Sequence, residues 1–260
     1  MKIVLVTQED HFVIPQNINK IIALDNITVE LIVNIDSKGT LVNKKAFFIQ
    51  GFGLLQSAKM GFRLVGHKLI ERLDRMSGWR LLQEPKSVRA VAGHNAIRCR
   101  TTDNPNNDDV LQELRQLAPD LIVSFSAPCV FHPPLLSIPK NGCINLHCSF
   151  LPHYAGLLPS FWALFHNETE TGTTIHYMDD RIDNGSILAQ EKVAITKNTT
   201  MFELIRETKA VGGDLVCKVI KDIQSGHVTA IPNNANKDAY FSWPTVEQMR
   251  TFRRAGGRLI

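Results

Sequence analysis

The feature that most restricts this chain is a set of short, almost wholly apolar runs separated by stretches with helical spacing. KIVLVT (2–7), TVELIVNID (28–36) and DLIVSFS (120–126) leave almost no polar face. A strand with one wet face alternates apolar and polar residues, whereas a run that is apolar throughout belongs to a strand covered on both sides. PQNINKIIAL (15–24) and NDDVLQELRQL (107–117) carry apolar residues at helical spacing, and the second opens on good capping residues. Strand–helix alternation of this kind predicts an α/β chain built on a doubly wound, mostly parallel sheet. AIRCRTT (96–102) reads as a weaker strand and GCINLHCS (142–149) as a further one.

The second half has another rhythm. PSFWALFHNE (159–168) reads as a helix with Pro159 at its start. TGTTIHYMD (171–179) and SILAQEKVAI (186–195) read as strands joined by DRIDNG, and residues 200–226 as one long helix loosened at Gly212-Gly213. The expected organisation is a core over 1–226 and a short C-terminal extension over 227–260, with AYFSWP (239–244) as a partly buried strand or hairpin and a short basic helix after it. Residues 45–85 form a segment that is apolar, basic and glycine-rich. Phe62, Val65, Leu69 and Leu73 recur at helical spacing, with Lys68, Arg72 and Arg75 off that face. The favoured expectation is a helical insertion that packs its apolar face on the core. An acceptor diphosphate site or contact with an anionic membrane is the less favoured use of its basic side.

Composition narrows the function classes. Hydrophobic residues make up 44% of the 260 and charged residues 21%, enough for a sizeable core. A net charge of +4 is too mild for a nucleic-acid stripe and suits an anionic substrate. Five cysteines, without a CxxC spacing and mostly in apolar runs, read as reduced thiols of a cytoplasmic enzyme. No apolar run approaches the roughly 20 residues of a membrane span, and the N-terminus does not read as a signal peptide.

The chemistry concentrates in CINLHCSFLPHYAG (143–156). Asn145, His147 and Ser149 lie two residues apart and so share one face of a strand close to its end. In open α/β sheets ligands bind beyond the carboxyl ends of the strands. An amide there can donate to an oxygen that gains negative charge, and an imidazole can hold or move a proton near neutral pH. DDRIDNGSI supplies carboxylates at Asp179, Asp180 and Asp183; Asp183 is the best placed, because Gly185 allows close backbone approach to a ligand. Each piece alone has a plainer reading: an NxH pair within a strand, a DxG turn, a histidine at 176 bonded inside the core. His147, His153, His166 and His176 lack paired metal-ligand spacing, and no metal is expected.

Taken together, INLHCSFLPHYAGLLPSFWAL and TGTTIHYMDDRIDNGSIL resemble the core of the folate-dependent formyltransferases, the family of the glycinamide ribonucleotide, methionyl-tRNA and sugar N-formyltransferases. The motif positions Asn145, His147, Ser149, Leu151, Pro152, Tyr154, Gly156, Gly172, Thr173, His176, Asp183 and Gly185 are all filled. The resemblance implies a Rossmann-like core, 10-formyltetrahydrofolate as co-substrate, and Asn145, His147 and Asp183 as the catalytic residues. It places the folate against the segments 126–130 and 179–183, hence Ala127, Pro128, Val130, Asp180, Arg181 and Ile182. Ser149, Tyr154, Gly156, Thr174 and His176 fall to the acceptor side or to support of the catalytic groups. Ala155 departs from the arginine that many members carry there, so no acceptor contact is carried over to that position, and 45–85 is longer than the connection in compact members.

The expected reaction is formyl transfer to a primary amine of a small acceptor, first a nucleotide-linked amino sugar. The alternatives are another small amine or hydrolysis of the same folate. The tail after residue 226 is shorter than the additional domain of roughly 90 residues in methionyl-tRNA enzymes, so no nucleic-acid partner is expected. A homodimer is open.

Overall fold

The computed structural model describes residues 1–36, 44–79, 82, 84–234 and 239–260. Its strands are β1 (Lys2–Gln8), β2 (Thr28–Ile35), β3 (Arg98–Thr102), β4 (Leu121–Phe125), β5 (Cys143–His147), β6 (Ala155–Gly156), β7 (Glu170–Tyr177), β8 (Ile187–Ala194) and β9 (Tyr240–Phe241). The helices are α1 (Ile14–Ile22), α2 (Lys44–Phe52), α3 (Leu54–Met76), α4 (Val88–His94), α5 (Asp108–Leu117), α6 (Pro133–Leu136), α7 (Pro159–Phe165), α8 (Met201–Ser225) and α9 (Val246–Arg254). Seven strands form one sheet in the order β3-β2-β1-β4-β5-β7-β8. β1 to β5 run parallel within it, and β7 and β8 complete the edge antiparallel.

The apolar runs become the buried inner strands. Val4, Leu5, Val6, Ile32, Val33, Ile122 and Val123 are fully buried. One face of the sheet packs with α1, α4 and α8 through Ile18, Val91, Val216 and Ile220, and the other with α5 and α6 through Val110, Leu114 and Leu135. Burying each such side chain stabilises by about 1.5–3 kcal/mol, so strands apolar on both faces require helices on both.

α8 is one continuous helix, started by a reciprocal capping box between Thr200 and Glu203 and ended by Gly226 in the left-handed region. It is not loosened at Gly212-Gly213. A methyl on Gly212 would overlap Leu146 and Thr173, and one on Gly213 would overlap Asn17, so the pair lets α8 sit close to β5, β7 and α1. Packing outweighs a helix penalty of about 1 kcal/mol per glycine.

The segment 45–85 is helical over α2 and α3, but the apolar face of α3 points outward. Phe62, Val65, Leu69 and Leu73 are 79, 64, 58 and 46% exposed. The inward face of α3 is polar instead. His67 meets the Phe12 ring edge-on at 5.1 Å, Glu71 lies 3.7 Å from His11, and fully buried Asp74 lies 3.1 Å from His94. Helical spacing fixes which residues share a face; it does not say which face meets the core, and partners on the core for three polar side chains decided that here.

The tail packs on the core. Met249, Phe252 and Leu259 join Phe52, Phe161, Trp162 and Met201 in one apolar cluster. β9 pairs parallel with β6. Phe241 and Trp243 are half-buried, but Tyr240 is exposed: as successive residues of a two-residue strand, Tyr240 and Phe241 face opposite sides.

Candidate active site

Asn145 and His147 lie within the last three residues of β5, at the carboxyl edge shared by the five parallel strands. β4 and β7 hold β5 on either side, with Asn145 opposite Ser124 and His176, and His147 opposite Thr174. Asp183 arrives from the loop between β7 and β8. Its backbone is left-handed, with φ of 48°, a conformation that aspartate tolerates better than most residues. Gly185 supports that loop: a side chain there would run into the Tyr177 carbonyl, so the glycine lets the loop pack closely on β7.

The side chains form one polar cluster. His147 Nδ1 lies 3.3 Å from Asp183 Oδ2, and His147 Nε2 lies 2.9 Å from the Tyr154 carbonyl. His176 Nε2 lies 3.2 Å from Asn145 Nδ2 and 3.6 Å from Asp183 Oδ1. His176 Nδ1 faces the Tyr177 carbonyl at 2.8 Å, which only accepts, so Nδ1 carries a proton. In the neutral ring Nε2 then accepts from the Asn145 amide. Gly156 N–H donates to Asp183 Oδ2 at 2.8 Å. Burial would raise the Asp183 carboxyl, but the charge of His147 first, with the adjacent His176 ring and the Gly156 amide, holds it down at about 2.

Three of the remaining candidate residues build support. Ser149 Oγ donates to the His153 carbonyl at 2.7 Å, and Thr174 Oγ1 donates to the Ser149 carbonyl at 2.7 Å while accepting from Leu151 N–H. Tyr154 donates its hydroxyl to Glu168 at 2.6 Å and stacks on His166. Burial and the Glu168 carboxylate push its phenol upward. Neither Ser149 nor Thr174 is brought to the open side of the cluster; both are fully buried.

Two loops border the cluster. The first follows β4 and holds Ala127 and Val130, half-buried, and Pro128, exposed; the Val130 carbonyl accepts from Asn106. The second holds Asp180, Arg181 and Ile182, all exposed, beside the buried Asp183 carboxylate. Ile182 is 48% exposed, an apolar side chain directly beside the carboxylate. Two participants escaped the sequence reading. Asn233 donates to the Asp183 carbonyl at 2.8 Å from the chain after α8, and Gln190 bridges Leu151 and Thr174 from β8. Neither belongs to a local motif, and only the tertiary fold brings them in. Among the described residues no group of three or more histidine, cysteine or acidic side chains is placed to hold a metal ion.

The sequence profile of the formyl transferase family matches residues 45–220. The chain belongs to the formyl transferase family. The match takes in the segment read above as an insertion. Methionyl-tRNA formyltransferase from Synechococcus sp. strain JA-3-3Ab is 32% identical over 196 residues, covering 75% of this chain and 60% of that protein. The Listeria monocytogenes serotype 4a enzyme of the same name is 31% identical over 192 residues, covering 74% and 62%. The chain thus spans about three fifths of the length of these relatives. Among solved structures, an N-formyltransferase from Helicobacter canadensis, in complex with folinic acid and dTDP-3-aminofucose, shares the fold with a TM-score of 0.62 at 19% identity, over 97% of this chain and 80% of that one. A glycinamide ribonucleotide transformylase from Symbiobacterium toebii gives 0.60 at 15%, over 87% and 88%. The Asn145–His147–Asp183–His176 cluster therefore stands on the fold of the family.

Proposed function

We propose that the chain transfers a formyl group from 10-formyltetrahydrofolate to a primary amine of a small acceptor, with Asn145, His147 and Asp183 as its catalytic groups. The observation that carries this reading is the Asp183 carboxylate, held ionised against His147 beside the Asn145 amide at the strand end. The formylated folate supplies an electrophilic carbon whose oxygen becomes negative as the amine adds. The donor set suits that need. Asn145 Nδ2 has two hydrogens; one goes to His176, and the second is available to the oxygen, since Asn145 is only half-buried. His147 adds its charge, oriented by Asp183 and by the Tyr154 carbonyl. Asp183 accepts the proton the amine loses, directly or through one water, and returns it to the nitrogen that leaves the formyl carbon. Ala127, Pro128 and Val130 on one side and Asp180, Arg181 and Ile182 on the other would hold the folate.

For the acceptor, a nucleotide-linked amino sugar is supported by the structural neighbour crystallised with such a sugar, which matches nearly the whole chain. The curated relatives favour a second reading, methionyl-tRNA. One experiment separates them. The chain is given 10-formyltetrahydrofolate with dTDP-amino sugars or with methionyl-tRNA, and formylated product is measured by mass. Product on the sugar supports the first reading and product on the tRNA the second. Formate release independent of any amine would replace transfer by hydrolysis.

A further inference from the structure

We propose that α3 is an interfacial helix that docks on an anionic lipid surface. Every residue of α3 that is exposed is either apolar or basic. At 3.6 residues per turn, Leu54, Leu55, Phe62, Val65, Leu69, Leu73 and Met76 fall within one arc. They run the length of the helix, and Met76 is 75% exposed at its far end. Lys59 borders the arc on one side, Lys68 and Arg75 on the other, and Arg72 sits at its edge. None of these four cations has an ion pair among the described residues. The helix has two carboxylates, and both are turned inward: the Glu71 side chain is 18% exposed against His11, and Asp74 is 0% exposed against His94. An apolar stripe with cations on both borders is the pattern of a helix lying in the plane of a membrane interface, its lysine and arginine stems reaching the headgroups.

The charge pattern also selects the occupant. Two copies joined through this face would bring basic borders together, with no acid on α3 to pair them, whereas helix pairs are specified by opposite charges beside the apolar seam. An anionic surface complements both features at once. No helix of the described residues is long and apolar enough to cross a membrane, so the contact is with the surface. α3 packs on the loop that follows β1, through Phe12 and His11. That loop lies at the carboxyl edge of the sheet, so docking brings the edge that carries Asn145 and His147 towards the lipid.

The test is co-sedimentation of the full chain with vesicles of phosphatidylcholine, with and without phosphatidylglycerol. Binding is expected to the mixed vesicles and to weaken as salt rises from about 0.1 M to about 1 M. Lys68→Gln, Arg72→Gln and Arg75→Gln each reduce partitioning about fivefold, on the order of 100-fold together. Phe62→Ser with Leu69→Ser reduces it by at least tenfold, roughly. Because all five side chains are exposed, each variant keeps the wild-type circular dichroism and thermal midpoint, which separates lost docking from lost fold. Absence of binding to phosphatidylglycerol vesicles overturns the proposal. So does variant binding equal to wild type, or a dimer in sedimentation equilibrium that Phe62→Ser with Leu69→Ser dissolves.

Discussion

Asp183 is where charge, backbone and position meet. Its carboxyl is held at about 2 instead of 3.8, which at 1.36 kcal/mol per unit amounts to about 2 kcal/mol of stabilisation. Because the folded value lies below the ordinary one, that stabilisation is complete at neutral pH and is lost as pH falls from about 4 through about 2. Asp183→Asn keeps the shape and removes the charge. Urea unfolding is expected to show wild type and variant furthest apart near neutrality, with the gap closing in that acid window; a gap independent of pH would mean the ion pair does not contribute. Asn145→Ala removes the proposed oxyanion donor and should lower kcat by about 100- to 1,000-fold with a modest change in KM, measured by steady-state kinetics. Asn145, His147 and Asp183 were legible in the sequence because two stand in one strand and the third in a loop with a glycine. The Gly156 amide and Asn233 that complete the Asp183 environment were not, since a backbone donor has no side-chain signature and Asn233 lies fifty residues away in the chain.

Elements were readable where a pattern had one interpretation. The buried strands were, because a run apolar on both faces admits little else; α5 was, because its caps and spacing agree. α8 shows the limit: Gly212 and Gly213 look like helix-weakening residues until the strands and α1 they must clear are known. Gly213→Val should destabilise the protein by about 1–3 kcal/mol through overpacking against Asn17, read from denaturant midpoints; unchanged stability would mean α8 has room to withdraw. At the start of the same helix, Thr200→Ala removes the hydroxyl half of the capping box, leaves the Glu203 carboxylate on the residue-200 amide, and should cost about 1 kcal/mol. α3 shows a second limit. Its amphipathic period was plain, but a period has no sign. The inward choice was made by His11, His94 and Phe12, which lie on other elements.

Across the whole molecule, the sheet and its carboxyl edge followed from the order of segments, and the tail did not. Residues after α8 contribute Met249, Phe252 and Leu259 to an apolar cluster with α7 and α2, and Asn233 to the loop that carries Asp183. That arrangement joins fold stability to the site at a distance no local pattern reveals. The central claim, that this cluster moves a formyl group onto an amine, is tested most directly by single-turnover kinetics. The full chain is held in excess over 10-formyltetrahydrofolate and mixed with its best amine acceptor. Tetrahydrofolate and formylated amine should then appear together, in equal amounts and at one rate. His147→Ala should slow that rate by about 100-fold or more and leave folate binding in place. Folate turnover without formylated amine, or a His147→Ala variant as fast as wild type, would contradict the account.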